Sequence, residues 1–282
     1  MSALAAVRTA NAIYVLTDAA STSIHDDATY GMMLQVHSKQ TIGANGIVCA
    51  CCCYSEPTVR FAELAAEHCT GYDDVVQSDR RLFAEAVKAL GRWQDEFCGV
   101  FYAGWSERAK RLCMSITYSD PRAYHRQFWH EYDMPAMAIG PAPPARELGS
   151  EFVKRFTDDP ESFDPRRDGI ALFENMRRQC RCEDDGRSYY AIGGYVQLTT
   201  VTPDEIKTGV IRHWSDEVGK RIEPGAEGAA VTSSGIPWRD LYRRREDMLI
   251  EQQAEFLGRI KQRVPVSDGA MTLNPGWQAG KA

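Results

Sequence analysis

Two runs of alternating residues, GVFYAGW (99–105) and RLCMSITY (111–118), are separated by only the five residues SERAK. Period-two alternation marks a strand with one face toward a core. A connection this short joins antiparallel neighbours only, because a parallel crossover needs a dozen residues or more. The same arrangement recurs at YVQLTTV (195–201) and IKTGVIRHW (206–214), with Thr202-Pro203-Asp204-Glu205 as the turn. Any fold open to this chain must therefore accommodate two long hairpins.

The rest of the pattern falls around them. AIYVLT (12–17) alternates and ends at Asp18, and residues 31–53 read as two or three short strands with Ala44-Asn45-Gly46 as a tight turn. Ser55-Glu56-Pro57 opens a helix whose small residues Ala62, Ala65, Ala66 and Cys69 share a face, suited to lying close on a sheet. A second helix is expected over 79–96, with the stripe Leu82, Phe83, Ala86, Val87, Leu90 and Trp93. Residues 121–134 read as a loop rich in aromatics and His, and 134–140 as a strand. Helices follow over 146–156 and 166–180, the latter with Ile170, Phe173 and Met176 on one face. Helices thus come in adjacent pairs and strands in hairpins, unlike the strict βα alternation of a doubly wound sheet. The expected class is α+β: two stacked antiparallel sheets with a helix pair on each outer face. The expected boundaries are a main domain over 1–215, a Gly- and Ser-containing linker over 216–236, and a C-terminal helix (about 238–263) and tail over 237–282.

The chain has 282 residues, long enough for one large core. A formal net charge of −6 argues against a nucleic-acid-binding surface, and no apolar run reaches the roughly 20 residues of a membrane span. With no basic leader at the start, the expected location is cytoplasmic. Of nine cysteines, four crowd into positions 49, 51, 52 and 53 and two stand at 180 and 182. Their crowded spacing is not that of the two separated CxxC pairs of a zinc site, so they read as small buried hydrophobes. His125 and His130 lack the order of a zinc-binding HExxH helix. No metal or cofactor is expected.

The strand order and the early strand ending in Asp18 resemble the proteasome β-subunit-like family of N-terminal nucleophile (Ntn) hydrolases over roughly residues 2–215. The resemblance implies a four-layer αββα sandwich whose first residue is the nucleophile, with its own α-amine as general base. The family has an aspartate some sixteen positions after the nucleophile, as Asp18 follows Ser2, and a lysine before the strand entering the cysteine-rich stretch, where Lys39 stands in HSKQTIGANGIVCA. Its late Asp-x-x-Ser pair matches Asp185 and Ser188 in spacing. Ser2 becomes N-terminal on removal of Met1. A free α-amine titrates at about 7.7–8.0, close to working pH, so it can take a hydroxyl proton. An ammonium beside it lowers its pKa, and an aspartate keeps that ammonium charged.

Two departures accompany the match. The glycine whose N–H forms the family's oxyanion hole aligns with Cys51 or Cys53, and Gly140 is followed by Pro141 where the family has a serine. Two functions follow. One is an amide hydrolase or peptidase with Ser2 as nucleophile, acting on a peptide or amide substrate. The other is a catalytically inactive subunit kept as a structural part of a larger assembly, either a subunit ring or a phage-related particle. Either way a homo-oligomer or a larger protein assembly is expected, with neither nucleic acid nor membrane as partner.

Overall fold

The computed structural model describes residues 3–24, 26–52, 55–89, 98–120, 127–140, 143–182 and 186–225. The chain divides into two units, Met1–Gly235 and Ile236–Ala282, the second lying outside the described residues along with the expected C-terminal helix.

Fourteen strands and four α-helices are described. In chain order they begin with β1 (Leu4–Arg8), β2 (Ile13–Asp18), β3 (Ala20–Thr22), β4 (Met33–Val36), β5 (Gln40–Ile42) and β6 (Val48–Cys52). The helices α1 (Ser55–His68) and α2 (Tyr72–Ala89) come next, then β7 (Cys98–Ser106), β8 (Arg111–Asp120), β9 (Gln127–Tyr132) and β10 (Ala136–Ile139). The chain continues with α3 (Pro143–Asp158), α4 (Ile170–Arg177), β11 (Arg181–Cys182), β12 (Ser188–Tyr189), β13 (Tyr195–Val201) and β14 (Ile206–His213). Two five-stranded sheets result, in the orders β10-β1-β2-β13-β14 and β5-β6-β7-β8-β9, and every pairing within them is antiparallel.

Side-chain direction alternates along the strands and sorts the buried residues into three main cores. Leu4 and Ala6 of β1, with Ile13 and Val15 of β2, meet Val48, Ala50, Phe101, Ala103 and Met114 of the other sheet. The opposite parity, Ala3, Ala5 and Val7, packs with Phe152, Phe156, Phe173 and Met176 from α3 and α4. On the second sheet, Cys49, Cys98, Val100, Tyr102 and Cys113 pack with Phe61, Ala62, Ala65, Leu82, Phe83 and Ala86 of α1 and α2. The central strands of each sheet are therefore packed with apolar side chains on both faces, whereas the edge strand β14 is largely exposed.

Several expectations change in detail. Residues 121–134 are not all loop, because Gln127–Tyr132 pairs with β8 from Ser115 to Asp120. The helix expected from 79 begins at Tyr72. Asp73 and Asp74 occupy its first turn, where negative charge complements the unsatisfied N–H groups of a helix start. Asp74 accepts from the Thr70 N–H at 2.9 Å, while Asp73 accepts from Ser106 Oγ at 2.6 Å and ties the helix to β7. The stretch expected as a linker starts on the body of the fold: Asp216 pairs with Arg177, Gly219 N–H donates to the Met33 carbonyl, and Ile222 is buried with Ala20 and Met33. Its remainder, 226–236, lies outside the described residues.

Candidate functional site

Asp18 ends β2 with its side chain fully buried, and Lys39, also buried, comes to it from the other side of the β3–β4 hairpin. The local chain path explains the meeting. Gly31 takes φ +75°, a left-handed conformation open to glycine at little cost, and the chain returns so that Ala20 pairs with Val36. The His37 N–H then donates to the Ala19 carbonyl at 3.0 Å, which holds residues 37–39 alongside 18–20. Next, the Lys39 carbonyl accepts from the Cys51 N–H at 3.0 Å as β5 joins β6.

Lys39 Nζ lies 2.9 Å from both carboxylate oxygens of Asp18. Oδ1 also accepts from the Ala3 N–H at 2.8 Å, and Oδ2 from the Ala20 N–H at 3.2 Å. Four hydrogen bonds from three donor groups thus converge on one buried carboxylate, which is how a charge survives burial. An ammonium has three protons. Asp18 takes two, and among the described residues no acceptor takes the third. Beside the pair, Gln40 Nε2 donates to Thr17 Oγ1 at 3.0 Å and locks the next residue across the two sheets.

Two residues near this pair were not anticipated. His37 Nε2 stands 3.3 Å from Ser55 Oγ, the first residue of α1. Burial, then the Lys39 ammonium, hold the His37 imidazole below its ordinary pKa, with Glu56 and Asp18 acting in the opposite sense. The sequence pattern marks Ser55 only as a helix-opening residue. The alternation of HSKQ carried the missed signal, since His37 and Lys39 share a parity on an extended segment.

The structure therefore brings together Asp18, Lys39 and the backbone of Cys51. The Cys51 N–H is engaged by the Lys39 carbonyl. Ser188 sits exposed in β12 opposite Cys182 and makes no hydrogen bond with Asp18 or Lys39 among the described residues. Ser2, Cys53, Asp185 and Pro141 lie outside the described residues, as does His125; of His130 only the backbone, in β9, is described. Cys49 is buried among apolar side chains, and burial pushes its thiol up to about 12.

Elsewhere, a cavity of about 490 Å³ is lined by Glu174, Arg177, Arg178, Arg212 and Trp214 among others, and contains neither Asp18 nor Lys39. Its wall is ordered by Arg177, which donates to both oxygens of Asp216 (2.6 and 2.8 Å) and to the Ile192 carbonyl. Among the described residues, no helix is long and apolar enough to cross a membrane, and no three His, Cys, Asp or Glu side chains are grouped to hold a metal ion.

No protein-family model and no curated protein matches the sequence. Among solved structures the chain is similar to the Anbu (Gly-1) mutant from Hyphomicrobium sp. strain MC1, at 12% identity and a TM-score of 0.48, over 91% of this chain and 99% of that one.

Proposed function

We propose that the protein is a proteasome-like Ntn amide hydrolase in which Ser2, exposed by removal of Met1, is the nucleophile. In this reading the three apolar cores are the seams of a four-layer αββα sandwich, and the site lies at one end of the central seam. The observation that carries it is the buried Lys39–Asp18 pair, with one ammonium proton unused among the described residues and Asp18 accepting the N–H of Ala3. Ala3 is bonded to Ser2.

The chemistry follows from those positions. The Ser2 α-amine takes the hydroxyl proton as Oγ attacks the amide carbon. The Lys39 ammonium lowers the pKa of amine and hydroxyl alike, and Asp18 keeps the ammonium charged and aimed. Asp185 and Ser188 would support the amine. Cys53 is the better candidate for the oxyanion donor, because the N–H of Cys51 already has an acceptor.

That engaged N–H also favours the second reading, an inactive subunit serving as a structural part of a larger assembly. Losing one oxyanion donor costs about 100–1000-fold in rate in a serine protease. The deciding experiment is the intact mass of the purified protein before and after a β-lactone electrophile. Loss of Met1 and one adduct on Ser2, absent in Ser2→Ala, supports the hydrolase. Retained Met1 with no adduct rules it out in favour of the structural subunit.

A further inference from the structure

Ser55 and His37 stand apart from the Ser2 chemistry, and their geometry is that of a nucleophile beside a base. The two atoms are 3.3 Å apart, a separation common where a catalytic hydrogen bond tightens only once substrate is bound. Both residues are half-buried rather than sealed in a core. Among the described residues, the contacts of the Ser55 hydroxyl are His37 Nε2 and, at 3.5 Å, Glu56 Oε2. His37 Nδ1 is buried and has no hydrogen-bond partner among the described residues.

We propose that Ser55 and His37 form a second nucleophile–base pair, able to cleave activated carboxylic esters independently of Ser2. With the ring proton on Nδ1, Nε2 accepts from Ser55 Oγ. Oγ then attacks the ester carbon as its proton passes to Nε2. The tetrahedral adduct collapses, the bond to the leaving alkoxide breaks, and the alkoxide takes the proton from Nε2. Water repeats the sequence on the acyl-serine with Nε2 again as base, releasing the acid and restoring Ser55. Ester and water become acid and alcohol, with no further reactant.

The surroundings suit each step. Ser55 starts a 14-residue helix, whose N-terminus favours the negative charge that develops on the attacked carbonyl. His37 is held below its ordinary value of 6.5, which keeps the imidazole neutral and able to accept a proton near pH 7. When Nε2 becomes protonated, Glu56 and Asp18 offset the nearby charge of Lys39. Among the described residues none orients Nδ1, so the ring is held by its backbone, its packing and the Ser55 contact. This limits the substrates to esters with good leaving groups.

The test is labelling of the full-length protein with a fluorophosphonate, followed by peptide mass mapping. Ser55 should be phosphonylated with loss of fluoride, in wild type and in Ser2→Ala alike. His37→Gln, with circular dichroism unchanged, should slow the labelling of Ser55 about 100-fold or more, the lower end of what a positioned base contributes. If His37→Gln does not fold, the wild-type pH profile decides: the rate should rise through an apparent pKa below 6.5. A folded protein unlabelled at Ser55, an adduct confined to Ser2, a rate indifferent to His37→Gln, or a flat pH profile overturns the proposal. An adduct confined to Ser2 would do so while leaving the Ser2 hydrolase standing.

Discussion

Replacing Lys39 with Met tests the buried pair directly. The substitution keeps an unbranched apolar stem of similar length and deletes the ammonium. Asp18 then keeps only the Ala3 and Ala20 N–H groups and loses both 2.9 Å bonds from Nζ. Hydrogen bonds to charged groups contribute about 1.5–3 kcal/mol each, and removing one partner of a buried ion pair costs about 3–5 kcal/mol because the other charge is left uncompensated. With side-chain exposures of 3% and 0%, solvent cannot offset that loss. K39M should therefore lose about 3–5 kcal/mol, read as a lower urea midpoint. Asp18→Asn should cost a similar amount by stranding the ammonium. The double variant, with no charge left, should be no less stable than the worse single one, so the cycle should show a coupling of about 2 kcal/mol or more. A K39M cost below about 1 kcal/mol, the range of solvent-exposed pairs, would refute the reasoning. So would two single costs that add to the double within about 0.5 kcal/mol.

Other outcomes are expected elsewhere. Asp216→Ala removes both oxygens that hold Arg177 and the acceptor of the Gly194 N–H; it should cost about 3–5 kcal/mol and speed amide exchange at Gly219, whereas unchanged exchange there would mean the segment is held by other contacts. Gly169→Ala would place a Cβ 2.5 Å from Leu16 Cδ2, so the usual helix gain of alanine should reverse into a loss of about 1–3 kcal/mol, seen as a lower Tm. In native protein at pH 8, iodoacetamide should modify exposed Cys182 long before Cys49, whose thiol is pushed up to about 12; equal rates by mass spectrometry would contradict its burial. Because the folded protein holds His37 below 6.5, it binds fewer protons there than the unfolded chain, and this contribution to stability is complete above pH 6.5 and lost on acidification below it. His37→Gln should therefore flatten the fall in Tm between pH 7 and 5, and an unaltered slope would assign that fall to other groups.

Local periodicity made much of the fold legible. The two long hairpins, the Ala44-Asn45-Gly46 turn with Gly46 at φ +74°, and the buried faces of α1 and α2 each depend on residues within a few positions of one another. β1 escaped for a physical reason. LAAVR is buried toward both sides, so it shows a continuous apolar run in place of alternation. β9 escaped because QFWHEY mixes aromatic, charged and imidazole side chains, and only its pairing with β8 makes it a strand.

The candidate site divides the same way. The sequence alone carried the spacing of Ser2, Asp18 and Lys39, through a family resemblance that singled out those positions. By composition Lys39 is a lysine beside a short strand, and such residues are ordinarily solvated. Its burial against Asp18 depends on the β3–β4 register, the His37-to-Ala19 hydrogen bond and the closing of the sheet behind it. The meeting of His37 with Ser55, 18 positions apart, depends on where α1 begins relative to that same hairpin. Periodicity is written into neighbouring residues, but the partner of a buried charge is chosen by strand pairing between distant ones, and that choice exists only once the sheets have formed.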